Sequence, residues 1–167
     1  MLKRTLLAAL LLVLLAACGS GLNVNVDQQG NLGITIELQE DTVNALIKDA
    51  VINSEGGEPI LTEINSIDLK PGTITVSGTR TVGGTRVEGS FDLSVATDGG
   101  ALRARITAVN IPGVTLDSRV IAQANTSLEE AFRQSASQAD EVRFDSVEVT
   151  DTSLKMVITV LNNTPTG

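Results

Sequence analysis

The stretch "SRVIAQANTSLEEAFRQSASQ", residues 118–138, decides how this chain is read. Val120, Ile121, Ala124, Leu128, Ala131, Phe132 and Ser135 recur at spacings of three and four, the period that puts side chains on one face of an α-helix. About twenty residues at 1.5 Å each make a helix of roughly 30 Å. A strand of about ten residues has a similar length, so this helix is matched to the strand-like runs on either side of it. Asp117 and Ser118 stand where a side-chain oxygen caps a helix start.

Upstream of the helix the period changes to two. "ILTEINSIDL" (60–69) keeps Ile60 and Ile64 on one parity and Ile67 and Leu69 on the other, which predicts a bulge near Asn65-Ser66. Lys70-Pro71-Gly72 turns the chain into "TITVSGTRTV" (73–82), and Gly83-Gly84 turns it into "TRVEGSFDLSVA" (85–96). "TDGG" (97–100) is a hairpin signal, and "ALRARITAVN" (101–110) places Leu102, Ala104, Ile106 and Ala108 on one face. Short connections make these strands antiparallel neighbours. Downstream, "EVRFDSVEV" (141–149) changes parity between Phe144 and Val147, and "SLKMVITVL" (153–161) is apolar on both faces at its end.

Before the meander, "LNVNV" (22–26) and "GITIEL" (33–38) alternate as strands, and "EDTVNALIKDAVIN" (40–53) switches to the helical period. Its stripe is Val43, Leu46, Ile47, Ala50 and Val51, with Glu40 and Asp41 at the end where the helix dipole favours anions. The order is a strand or hairpin, a short helix, four antiparallel strands, a long helix and two strands. This predicts an α+β domain: one curved antiparallel sheet of about six or seven strands wrapped on the long helix, with the short helix on the same face. Gly78 and Gly89, inside strands, are expected to let that sheet curl.

The start of the chain has its own pattern. Lys3 and Arg4 precede an apolar run from Leu6 to Leu15, the layout of a secretory signal peptide and too short for a bilayer, which needs about 20 residues. Leu15-Ala16-Ala17-Cys18 follows at once and resembles the bacterial lipobox. The resemblance implies cleavage before Cys18 and acylation of its thiol with palmitate-type chains. Two or more acyl chains give stable anchoring where one gives marginal binding. The expected organisation is a signal peptide over 1–17, a lipidated tether over 18–21, one domain over 22–161 and a loose tail over 162–167. The expected location is exported and membrane-anchored, on the outer face of a cell membrane or the periplasmic face of an envelope.

Composition narrows the function classes. The chain carries 12 basic and 20 acidic residues, a net charge of −8, and loss of Lys3 and Arg4 with the signal takes it to −10. Such a domain is a poor partner for nucleic acid. There is no His, and Cys18 is the one cysteine, so Ser-His-Asp and Cys-His chemistry and His-ligated zinc are excluded. A carboxylate pair for glycoside or aspartyl-type chemistry stays open, but the candidates Asp140, Glu141, Asp145, Glu148 and Asp151 lie along a strand and its flanks and read most simply as its solvated side. Glu129-Glu130 reads as the exposed face of the long helix. The expectation is a non-enzyme without catalytic residues, cofactor or metal.

The run Ile36-x-Leu38-x-Glu40-Asp41-x-Val43-Asn44-x-Leu46-Ile47, followed by a Pro-Gly turn, "TITVSG", a strand ending in "DGG", a long helix and closing strands, resembles small bacterial proteins of the tubular lipid-binding superfamily, akin to half of a bactericidal/permeability-increasing protein. The resemblance implies a sheet wrapped around a long helix, with an apolar groove that shelters acyl chains. The residues that would line it are Ile74, Val76, Phe91, Leu93 and Ile106 from the strands and Val120, Ala124, Leu128, Ala131 and Phe132 from the helix. The same residues read equally as ordinary core, because small side chains on an inner stripe also let a sheet approach closely. Two functions follow: an envelope lipoprotein that binds lipid or another apolar ligand between helix and sheet, or a structural adaptor that holds an envelope protein and no small ligand.

Overall fold

The structure, a computed structural model, describes residues 21–26, 31–52, 59–136 and 142–160. The elements are β1 (Gly21–Val26), β2 (Leu32–Gln39), α1 (Glu40–Ile52), β3 (Glu63–Lys70), β4 (Thr73–Val82), β5 (Thr85–Asp98), β6 (Ala101–Asn110), α2 (Arg119–Ala136), β7 (Val142–Val149) and β8 (Ser153–Val160). The acylation site expected at Cys18, the signal peptide and the tail fall outside the described residues.

The strands form two antiparallel sheets rather than one. Sheet A has the order β1-β2-β8-β7, and sheet B the order β3-β4-β5-β6. The expectation of a single curved sheet of six or seven strands on one long helix plus one short helix is therefore overturned: among the described residues, eight strands are split evenly between two sheets, with two helices. The hydrogen-bond ladder stops where other groups occupy the strand edges. Along β6, α2 lies close, and the Asn125 Oδ1 accepts from the Ile106 N–H at 2.8 Å. No strand follows β6 in the ladder, because β7 pairs with β8 instead. β7 packs against β5 and is hydrogen-bonded to sheet B at two hairpin tips. The Phe144 N–H donates to the Gly100 carbonyl at 2.8 Å, and the Gly72 N–H donates to the Val149 carbonyl at 3.0 Å.

Both sheets turn their apolar faces to one core. Ile34, Ile36 and Leu38 of β2 lie opposite Ile158, Met156 and Leu154 of β8, all buried. Sheet B contributes Ile67, Leu69, Ile74, Val76, Phe91, Leu93, Val95, Leu102, Ala104 and Ile106. The alternation that marked each strand as half-buried thus sends every second side chain inward. The helices close the remaining side, with Val43, Ile47, Ala50 and Val51 of α1 and Ile121, Ala124, Leu128 and Phe132 of α2 joined in the same cluster. Burying a Leu, Ile or Phe stabilises by about 1.5–3 kcal/mol each, so the helical stripes, not helix propensity, hold α1 and α2 in place.

The parity slips in the sequence appear as register shifts, one between Ile64 and Ser66 and one between Phe144 and Ser146. Gly78 lies opposite the first of them: a Cβ there would run into the Glu63 carbonyl oxygen. At Gly89 a Cβ would stand 2.7 Å from the Ile111 Cγ1. Both glycines admit close approach of the neighbouring strand, β3 at Gly78 and the end of β6 at Gly89. Ile60 and Leu61, read as strand, instead form an irregular, fully buried approach to β3. Arg80, itself buried, ties that approach down by donating to the Pro59 and Ile60 carbonyls at 2.8 and 3.1 Å.

Candidate functional site

A cleft of about 510 Å³ lies where the tip of the β5–β6 hairpin, the solvent side of α2 and the start of β7 converge. The hairpin tip forms because Gly99 and Gly100 both take positive φ, 59° and 83°, as a two-residue turn between twisted strands requires. Gly100 is needed twice over, since a Cβ there would also meet the Arg143 Cγ at 2.7 Å. Behind the tip, Leu102 and Phe144 give the cleft an apolar floor that is continuous with the core.

Its walls are charged and internally paired. The Arg103 Nη1 on β6 faces the Glu129 Oε2 on α2 at 3.5 Å. One helical turn on, Arg133 grips Glu130 with two N–H groups, at 2.7 and 3.0 Å, and the Gln134 amide adds a third donor at 2.7 Å. Those donors hold the Glu130 carboxyl below its ordinary pKa, the Arg133 hydrogen bond first and Gln134 second. Thr126, also on the wall, donates its hydroxyl to the Ala122 carbonyl of its own helix at 3.2 Å. Two guanidinium groups and two carboxylates thus surround an apolar floor.

The residues expected to line an acyl groove lie elsewhere. Ile74, Val76, Phe91, Leu93, Ile106, Ala124, Leu128 and Phe132 are buried in the core, and Val120 and Ala131 pack half-buried at its margin. The structure brings all ten into one apolar cluster, and none of them lines the cleft. Among the carboxylates singled out in the sequence, Asp140 and Glu141 lie outside the described residues. Glu148 and Asp151 are exposed. Asp145 is the extra residue of the β7 bulge and is re-aimed by it. It accepts from the Thr159 hydroxyl at 2.6 Å and the Arg143 Nε at 2.7 Å, and the Thr159 bond, then Arg143, hold its carboxyl below the ordinary value. The Asn44 Oδ1 on α1 and the Ser118 hydroxyl oxygen are buried without a hydrogen-bond partner.

Arg103, Arg133 and Val142 carried no signal as site residues. The "TDGG" hairpin and the polar face of α2 were each legible, but their meeting depends on β7 running past both. No helix among the described residues is long and apolar enough to cross a membrane, and no cluster of three metal-ligating side chains occurs among them. Comparison with family models, with curated proteins and with solved structures gives no match.

Proposed function

We propose that the chain is an exported lipoprotein, acylated at Cys18 and held at a membrane face of the cell envelope, whose domain works as an adaptor for a protein partner. The observation that carries the choice of adaptor over carrier is the burial between α2 and sheet B. Leu128, Phe132, Ile74 and Leu93 are each 0 % exposed and Ala124 is 3 %, so the inner stripe of the helix rests on side chains. The cleft has the opposite character: it is open and rimmed by ion pairs, which suits a protein surface better than a fatty chain.

The tether geometry supports the same reading. β1 begins three residues after Cys18, a span of at most about 10 Å. Gly21 lies opposite Glu37, and Glu37 opposite Lys155, whereas Val142 of the cleft lies opposite Val160. The five residue steps from Lys155 to Val160 put the cleft about 17 Å along the strands from the tethered end, clear of the anchor.

Two measurements test this. Cys18→Ser is expected to leave an unprocessed or released protein that no longer partitions into detergent, and unchanged membrane retention would refute the anchor. Native mass spectrometry of the protein before and after organic extraction is expected to give the same mass. A copurifying lipid lost on extraction would restore the carrier reading.

A further inference from the structure

We infer that β1 is a self-pairing edge: two copies of the chain join through antiparallel β1 strands into one continuous eight-stranded sheet. The other strand edges are each protected. The hairpin tips of sheet B occupy β7 through the Phe144 N–H and the Val149 carbonyl, α2 and Asn125 occupy β6, and β3 carries a bulge together with Glu63, Asp68 and Lys70. Bulges, charges and coverage are the devices by which native sheets avoid edge pairing. Among the described residues, β1 has none of them. It is uncharged, free of proline and regular in its pairing to β2 from Gly21 to Val26, and Val24 and Val26 remain 49 % and 62 % exposed.

The strand's sequence names its partner. Leu22-Asn23-Val24-Asn25-Val26 reads almost the same in either direction around Val24. Antiparallel pairing centred there sets Val24 against Val24 of the second copy, Asn23 against Asn25 and Leu22 against Val26, so like polarity meets like on each face. A two-fold contact demands this kind of self-complementarity, in which residue i meets j and j meets i. Six residues a side is well short of the 20–30 of a standard interface, so the pair needs help. The tether, on the reading proposed above, supplies it by confining copies to one surface and raising their effective concentration. The two-fold of an antiparallel pair runs perpendicular to the sheet, and with that axis along the bilayer normal both tethers reach the same leaflet. Sheet A then lies on the membrane with its outer face of Asn23, Asn25, Thr35, Glu37 and Lys155 toward the headgroups.

The test uses the full-length processed protein in native membranes. Opposed residues of an antiparallel pair have Cα atoms about 4.5–5.5 Å apart, within disulfide reach. Val24→Cys is expected to oxidise to a dimer whose disulfide maps by peptide mass spectrometry to position 24 in both copies. Leu116→Cys, equally exposed at 50 %, is expected to stay monomeric. Charge placement checks the register: Asn23→Lys with Asn25→Glu keeps the Val24→Cys cross-link, and Asn23→Lys with Asn25→Lys loses it. A monomer at position 24, a cross-link to a different protein, equal cross-linking at 116, or indifference to the charge pattern would each overturn the inference. Membrane retention is read separately, so a released protein would refute the anchor while the mapped 24–24 disulfide still decides the pairing.

Discussion

The two sheets have the same number of strands and were assembled in opposite ways. Sheet B is four consecutive strands joined by tight turns, each pairing with the next in sequence. Sheet A joins the two ends of the domain. β2 pairs with β8 along its whole length, and the Ser153 hydroxyl reaches the Glu37 carboxylate at 2.9 Å across 116 residues of chain. Sheet B is specified by hairpin chemistry, whereas sheet A forms only when the core closes, because its pairing must overcome the entropy of a long loop. The difference extends to the edges: α2 and charge protect sheet B, while sheet A is protected at β7 and, among the described residues, bare at β1.

The comparison predicts that the sheets stand or fall together, since one cluster joins them. Phe132→Ala, under sheet B, and Leu154→Ala, in the centre of sheet A, each remove a fully buried side chain, with an expected loss of about 2–5 kcal/mol. Denaturant unfolding of either variant should show one transition at a lower midpoint. Two transitions would mean that the sheets are separate cooperative units.

A smaller effect is expected at the joint between the sheets. Gly100→Ala puts a side chain at φ 83° and against Arg143, a conformation that costs about 1–3 kcal/mol for a non-glycine residue. Gly84, at φ 82° with nothing near its Cβ position, is the control for backbone strain alone. If Gly100→Ala is no worse than Gly84→Ala, the hairpin tip does not brace β7.

The smallest effect concerns acid. The folded Asp145 carboxyl is held below its ordinary value of 3.8, so its contribution is complete above that pH and is lost as pH falls below it, when the folded group takes up a proton. Asp145→Asn should cost under about 1 kcal/mol at neutral pH, because the pair is partly solvent-screened. It should also flatten the loss of stability below pH 3.8. A variant with the wild-type acid profile would show that the Thr159 and Arg143 contacts do not govern it.

Much of this molecule was legible residue by residue. The stripe Ile121, Ala124, Leu128 and Phe132 marked α2 and its buried face, and the parity slips at Ile64 and Phe144 marked two bulges, because periodicity and bulge geometry are local. The cleft was not legible, since Arg103 and Glu129 belong to elements whose approach no local rule states. Nor was the division into two sheets, because an alternating strand pairs equally well with any other.

By itself, then, the sequence determined where the strands, turns and helices lie, apart from the approach at Ile60 and Leu61, which side of each is apolar, and that the chain opens with a signal-like run ending at Cys18. Backbone geometry and side-chain polarity act within a few residues, and that is sufficient for those features. Tertiary structure alone decided that β2 finds β8, that α2 ends the ladder at β6, and that β7 rests on two hairpin tips. Those outcomes depend on which apolar faces fill one another's space, a property of the whole packed core rather than of any segment.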